Sequence, residues 1–139
     1  TVRTAKVQAN GQVIYGGTFS SYTDAAGVTH SVKNLIRLNA DGTVDTTFST
    51  NLGSGPVSGS VEAIEIDSLG NIYVGGTFTG WNGVANNARS LAKFSSTGVF
   101  DTNFSNNLDV TSGVKATTSG FSGRISTIAI SGTELYVGG

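Results

Sequence analysis

Short apolar runs alternate with turns of Gly, Ser, Asn and Asp along the chain. The runs at 61–66 and 72–74 are rich in β-branched residues, and the turn Asp67-Ser-Leu-Gly70 separates them. An earlier pair of runs is separated by a turn that contains Asn10-Gly11, a strong hairpin signal because both residue types accept positive φ. Runs of this length and composition predict short antiparallel strands.

This strand pair is written into the chain three times, and each time it ends in two glycines. The pairs are Gly16-Gly17, Gly75-Gly76 and Gly138-Gly139, and their second glycines lie 59 and 63 residues apart. A repeat of this length is one supersecondary unit, and such a unit buries its apolar faces only by stacking on its neighbours. The pattern therefore predicts a single repeat region over residues 1–139. The glycines themselves are expected to allow a close approach or a bulge at the end of the second strand.

The second half of the repeat is equally regular. A third strand is expected at 35–38 and again at 91–94, and the motifs Asp45-Thr-Thr-Phe48 and Asp101-Thr-Asn-Phe104 follow at the same offset of 56 residues. This part predicts a fourth short strand that ends in the motif. Asp45 and Asp101 are expected to cap backbone N–H groups there. Phe48 and Phe104 are expected to plug the outer edge of the unit into the core.

Four strands in an up-and-down meander of this length match one blade of a β-propeller. Ile72 and Val74 should point to one side of the second strand and Tyr73 to the other, as in a strand that is covered on both faces. A β-sandwich predicts a polar residue on one of these faces, and a β-solenoid needs a much shorter period. The sequence therefore predicts an all-β fold of about two and a half propeller blades. The predicted bounds are blade one 2–48, blade two 61–104 and partial blade three 125–139, with connecting loops 49–60 and 105–124.

Two and a half blades cannot close a ring, because propellers use four or more. Both ends of the array would then carry open sheet edges. We therefore expect a fragment of a larger propeller or a subunit of an assembly. Its partners would be further blades of the same chain or identical copies that complete a ring or stack into a filament.

Composition narrows the function classes only slightly. Charged residues make up 12% of the chain, the net charge is −1, and no basic stripe could release counterions from a nucleic acid. The chain has no Cys, which excludes disulfides and thiolate metal sites. No apolar run is long enough to cross a membrane. We therefore expect neither nucleic-acid binding nor membrane insertion.

Variation between copies is concentrated in loops that a meander places on one face. These loops are 20–34, 49–60, 79–90 and 106–124. Because loops on a rigid scaffold commonly carry binding function, a protein or surface-glycan partner is expected on this face, with neutral drift in loop length as the alternative. The candidate residues are Tyr22, His30, Trp81, Asn82, Arg89, Lys115 and Phe121.

Trp81 has two interpretations. Exposed, it could stack on a sugar ring while neighbouring Asn side chains bind the hydroxyls. Packed, it would anchor the loop against the adjoining blade, since Trp next to a strand end commonly does so. An aromatic residue occurs once more at the equivalent place, because Tyr22 follows Phe19 as Trp81 follows Phe78.

Catalysis and metal binding have weaker signals. Asn39, Asp41 and Asp45 have the spacing of a calcium loop, but the second copy keeps only the last carboxylate, so calcium is a minor alternative and no cofactor is expected. The sequence contains no GxSxG, HExxH or phosphate-loop motif, and His30 is the only histidine. The expectation is a protein that is not an enzyme. A glycosidase-type site assembled at the propeller axis stays as the remote alternative.

The repeat also resembles a known family. The segments Gly76-Thr-Phe78-Thr-Gly-Trp81-Asn82-Gly83 and Leu38-Asn-Ala-Asp41-Gly-Thr-Val-Asp45-Thr-Thr-Phe48 resemble the delta-60 repeat of bacterial propeller-like proteins. The resemblance covers nearly the whole chain. It implies a large protein that is secreted, surface-attached or phage-associated, with a molecular function that is largely undefined.

Together these patterns favour a non-enzymatic structural or interaction module, such as an adhesion or filament component. It would belong to an extracellular, cell-surface or virion-associated protein and bind through the long loops on one propeller face. The alternative from another class is a carbohydrate-binding, lectin-like or carbohydrate-active propeller.

Overall fold

Short antiparallel strands dominate the described chain, and a short helix follows each three-stranded sheet. The computed structural model describes residues 1–85, 88–108 and 123–139. In chain order the elements are β1 (Val2–Val7), β2 (Val13–Gly17), β3 (Ser21–Thr23), β4 (Thr29–Ser31), β5 (Leu35–Leu38), α1 (Thr46–Leu52), β6 (Val61–Ile66), β7 (Ile72–Gly76), β8 (Gly80–Trp81), β9 (Val84–Ala85), β10 (Leu91–Phe94), α2 (Thr102–Leu108), β11 (Thr127–Ser131) and β12 (Glu134–Gly138).

The repeat of the sequence is a repeat of the structure. We call residues 1–59, 60–123 and 124–139 the first, second and third copies. The first copy forms the sheet β1-β2-β5, the second forms β6-β7-β10, and the third contributes the hairpin β11-β12. A small hairpin stands between the second and third strands of each sheet: β3 pairs with β4, and β8 pairs with β9.

The predicted fourth strand is wrong. After β5 and after β10 the chain makes one isolated bridge, Leu38 with Val44 and Phe94 with Phe100, and then turns into α1 or α2. The helix α1 begins where the Asp45 side chain accepts a hydrogen bond from the backbone N–H of Phe48, which satisfies an otherwise unpaired donor. The segment carries its two apolar residues four apart, so helical geometry places Phe48 and Leu52 on one face. Both are buried.

The Gly-Gly pairs are close-approach sites, as the sequence indicated. A Cβ on Gly16 would lie 2.3 Å from Val61 Cγ1 of the next copy, and one on Gly75 would lie 2.6 Å from Ile125 Cγ2. The second glycine of each pair meets the chain's own backbone: a Cβ on Gly76 would lie 1.9 Å from the carbonyl oxygen of Ser60. The pairing of the first two strands also shifts register opposite the first two glycine pairs, between Val2 and Thr4 and between Val61 and Ala63. Successive copies therefore touch because these positions lack side chains.

The core lies between successive sheets. The face of the first copy that carries Phe48 and Leu52 packs on the face of the second copy that carries Val74, Trp81 and Phe94. The opposite face of the second copy packs on the third copy through the residues Ala63, Tyr73, Leu91, Phe104, Ile125, Ile128, Leu135 and Val137. The predicted alternation along β7 is confirmed, because Ile72 and Val74 belong to the first cluster and Tyr73 to the second. The middle strand of the second sheet is thus covered on both sides.

Candidate functional site

Three loop segments from two copies meet at the ends of β2 and β7. The backbone N–H of Val57 donates to Gly80 O at 2.9 Å, and that of Asn82 donates to Gly55 O at 2.8 Å. From the first copy, Asn34 Nδ2 donates to Gly59 O at 2.7 Å. We call residues 33–34, 53–60 and 77–84 the loop face. These contacts bring together parts of three of the four variable loops, and most of the fourth lies outside the described residues.

Trp81 is a packed anchor and not an exposed ring. Its side chain is fully buried, with Phe78 and Phe94 at centroid distances of 5.5 and 4.8 Å. Its indole Nε1–H donates to the Leu52 carbonyl at the end of α1, at 3.1 Å. The sugar-stacking interpretation of Trp81 is therefore wrong, because the ring is occupied by the interface between the first two copies.

Two of the other candidate residues of this region, Asn82 and Arg89, lie within the described part of the chain. The Asn82 side chain is exposed, and its Oδ1 accepts hydrogen bonds from the backbone N–H and the hydroxyl of Ser54, at 3.0 and 3.3 Å. Asn82 thus ties the hairpin β8-β9 to the connection between the copies. Arg89 is exposed. Lys115 and Phe121 lie outside the described residues.

Tyr22 and His30 are neighbours on the hairpin β3-β4, but Tyr22 does not point to the loop face. Its hydroxyl donates to Gly42 O at 3.0 Å, in the turn at the far end of the sheet. Tyr22 also packs on Ile36, Leu38 and the rest of a third apolar cluster. The hairpin therefore folds over the outer surface of the first sheet, so the expected position of Tyr22 is wrong.

His30 is held by an acidic partner on the same hairpin. Its Nε2 lies 2.9 Å from Asp24 Oδ2, and the imidazole is partly buried. The hydrogen bond with His30 and the backbone N–H groups of Val28 and Ala26 hold the pKa of Asp24 below its usual range. No third acidic or histidine side chain joins this pair within the described ranges. The arrangement orders the hairpin tip.

Arg37, Asp45 and Phe48 form a connected unit, of which the sequence predicted the cap and the packed ring but not the cation. Arg37 Nε and Nη2 both donate to Asp45 Oδ2, at 3.0 and 2.8 Å, while Asp45 Oδ1 caps α1. The guanidinium lies over the Phe48 ring, 4.3 Å from its centroid, and Nη1 donates to Ser96 O of the second copy at 2.6 Å. Burial raises the pKa of Asp45, but the N–H of Phe48 and the Arg37 charge outweigh it and hold the pKa low.

The second copy repeats this unit with a lysine. Lys93 Nζ lies 3.3 Å from Asp101 Oδ2 and 5.9 Å from the Phe104 ring centroid. The predicted capping role is confirmed in both copies, since Asp101 Oδ1 accepts from the Phe104 N–H at 2.9 Å. That N–H, opposed by burial and assisted by Lys93, lowers the pKa of Asp101. Arg37 and Lys93 are 56 residues apart, as Asp45 and Asp101 are, and this common offset could have identified the cation from the sequence.

The proposed calcium ligands already have partners within the chain. Asp41 Oδ1 accepts from the backbone N–H and hydroxyl of Thr43, at 2.9 and 2.6 Å. Asn39 Oδ1 accepts from Gln12 Nε2 at 2.9 Å, and Asp45 is bound by Arg37. These are the hydrogen bonds of two turns and a helix cap, and calcium stays a minor prediction.

Two further findings concern the described part of the chain. It contains no group of three or more His, Cys, Asp or Glu side chains placed to hold a metal ion. Neither described helix is long and apolar enough to cross a membrane.

Comparison with known protein families gives a match. A family model described as "Domain of unknown function (DUF5122) beta-propeller" matches residues 8–48 and 70–104. Among curated proteins and among solved structures, nothing matches the chain. The two matched stretches cover the second and third strands and the helix N-terminus of each complete copy. They include more than half of the residues, and the chain therefore belongs to this β-propeller family of unknown function.

Proposed function

We propose that this protein is a non-enzymatic structural or interaction module and that a macromolecular partner binds its loop face. The observation that supports this is the backbone pairing across copies: residues 53–60 run along residues 77–82 through hydrogen bonds that include Val57 N–H to Gly80 O. Loops tied in this way form one surface of fixed shape. Preorganised surfaces bind with a smaller loss of conformational entropy than loose loops do.

The exposed side chains of the loop face suit hydrogen bonding and shape recognition. Lys33, Ser54, Ser58 and Asn82 are exposed, and Val84 is 56% exposed. Such a surface has one cation, several neutral donors and acceptors, and an apolar edge. By contrast, the carboxylates of Asp45 and Asp101 hold cations and helix caps of the scaffold. This division supports binding over bond-making chemistry.

A protein partner is favoured over a glycan. The lectin interpretation depended most on Trp81, and that ring is buried. The resemblance to the delta-60 repeat supports a role in an extracellular, cell-surface or virion-associated protein, and low charge with many hydroxyl side chains is compatible with such a surface. We further propose that the copies are blades of a delta-60-type propeller.

Site-specific photo-crosslinking tests the proposal. A photoreactive amino acid replaces Val84 on the loop face or, as the control, Leu69, which is 83% exposed in the turn at the other end of the second sheet. Each variant is irradiated in cells that produce the protein. We expect a protein adduct from position 84 and none from position 69. An adduct from position 69 alone, or turnover of a panel of glycoside substrates by the purified protein, would contradict the proposal.

A further inference from the structure

The outer face of the first sheet carries an apolar groove. The groove has a volume of about 340 Å³, and its lining includes Tyr15, Phe19, Tyr22, Ile36 and Leu38. It is separate from the loop face, because it lies on the side of β2 and β5 that faces away from the second copy. The repeat itself indicates what such a groove holds.

Each groove residue has a structural equivalent in the second copy. Tyr15 corresponds to Val74, because each residue directly precedes the glycine pair of its strand and the strand registers agree. The strand β5 pairs with β2 in the same register as β10 pairs with β7, so Ile36 corresponds to Ala92 and Leu38 to Phe94. The groove residues Tyr15, Phe19, Tyr22, Ile36 and Leu38 thus correspond to Val74, Phe78, Trp81, Ala92 and Phe94. All five of the latter are at most 1% exposed.

The first copy is what buries those equivalents. Phe48 and Leu52 of α1 belong to the same apolar cluster as Val74, Trp81 and Phe94. Polar contacts fix the helix in place, since Asn51 Nδ2 donates to Thr97 O at 2.9 Å and Arg37 Nη1 donates to Ser96 O. A Phe and a Leu four residues apart on an Asp-capped helix are therefore the side chains that this kind of groove accepts.

From this equivalence we infer that the groove is a socket for the Asp-Thr-x-Phe-x-x-x-Leu helix of a further repeat, joined to this chain through Thr1. The path by which a preceding segment would reach the groove has a counterpart at the junction between the first and second copies. Thr1 O accepts from the Thr18 N–H at 2.7 Å, as Ser60 O accepts from the Thr77 N–H at 3.0 Å. A segment leading into Thr1 would run beside residues 18–22 as residues 53–60 run beside 77–81.

A second copy of this chain is a poorer occupant. Phe48 is fully buried and Leu52 is 5% exposed in their own socket on the second copy. Phe104 contacts Tyr73 with a centroid distance of 5.6 Å and joins the cluster formed with the third copy. Within the described residues, both helix phenylalanines are therefore already engaged inside the chain.

The test is a chain that carries an additional copy of residues 1–59 directly before Thr1. NMR spectra report the methyl groups of Ile36 and Leu38 in the original first copy. We expect an upfield ring-current shift of these signals relative to the unextended chain. Replacing the added copy's equivalent of Phe48 by Leu keeps the apolar volume and should abolish the shift, while replacing the added equivalent of the exposed Thr47 by Ala should preserve it.

Two results would overturn the inference. One is an extended chain whose Ile36 and Leu38 methyl signals match those of the unextended chain, or shift equally with Phe and with Leu at the added position. The other is a shift that appears in the unextended chain as its concentration rises, which would make a second copy the occupant. Because the loop face takes no part, failure here leaves the crosslinking result at Val84 unaffected.

Discussion

At the scale of single residues, the copies approach each other closely at glycines, where no side chain separates them. Gly75 illustrates this, because its φ is not positive and its conformation alone does not require glycine. The requirement comes from the next copy, whose Ile125 Cγ2 would lie 2.6 Å from a Cβ at this position. The glycine at this position is therefore explained by a close contact between copies and not by a turn within one copy.

Gly75→Ala should lower the free energy of unfolding by about 1–3 kcal/mol, the usual cost of forcing extra atoms into a packed core. Gly27→Ala is the matched control, because no heavy atom lies within 4 Å of a Cβ there and only the strain of its positive φ remains. Combining Gly75→Ala with Ile125→Ala removes the nearest clashing atom. Denaturant unfolding of the four variants should give a double-variant loss smaller than the sum by at least about 0.5 kcal/mol. Strictly additive losses would contradict the contact.

At the scale of elements, each three-stranded sheet is followed by a helix whose residues have weak intrinsic helix preference. Thr, Ser and Asn dominate α1, so its stability must come from capping and from tertiary packing. Arg37 connects these two contributions, since it binds the capping carboxylate of Asp45 and also the second copy through Ser96 O. Its side chain is 8% exposed.

Arg37→Met should cost about 3–5 kcal/mol of stability, because it leaves the partly buried Asp45 carboxylate without its cation. Met keeps the apolar stem, so the loss reports charge and hydrogen bonding rather than volume. Lys93→Met, at the equivalent position of the second copy, should cost less than about 1 kcal/mol because that pair is longer and more exposed. Equal losses in urea unfolding of the two variants would show that Arg37 does not link the copies.

The same comparison shows what the sequence could predict. Strand positions, glycine contacts and the Asp45 and Asp101 caps were predictable, because each depends on local pattern or on the repeat. The helices were missed because Phe48 and Leu52 alone carry the helical period in a stretch of strand-compatible Thr and Ser residues. The Arg37 contact with Ser96 joins residues 59 apart, so no local pattern contains it.

Two candidate residues, Tyr22 and Trp81, do not present their side chains on the loop face, and for Trp81 this confirms the packed interpretation. The spacing of Tyr22 and Trp81 after Phe19 and Phe78 placed both aromatics in loops, but loop membership does not fix the direction of a side chain. Each hairpin folds over its own sheet, which turns Trp81 into the interface with the first copy and Tyr22 toward Gly42. Asn82, by contrast, is exposed on the loop face.

At the scale of the whole molecule, the copies stack in series, and each interface uses the same pair of contacts. A β-branched residue enters the space over the preceding glycine, and the helix Phe of one copy packs against the next. Such arrays gain stability from nearest-neighbour interfaces, so that damage to one copy is transmitted to its neighbour. The single tryptophan of the chain reports this directly, because Trp81 in the second copy contacts α1 of the first.

The most direct test of the account is the unfolding of Phe48→Ala followed by Trp81 fluorescence in denaturant. Phe48 is fully buried between the two copies, so its removal should lower the free energy of unfolding reported by Trp81 by about 3–5 kcal/mol. Thr47→Ala, on the exposed side of the same helix, should change it by less than about 0.5 kcal/mol. A Trp81 transition that Phe48→Ala leaves in place would show that the first copy is not seated in the second, and would contradict the account.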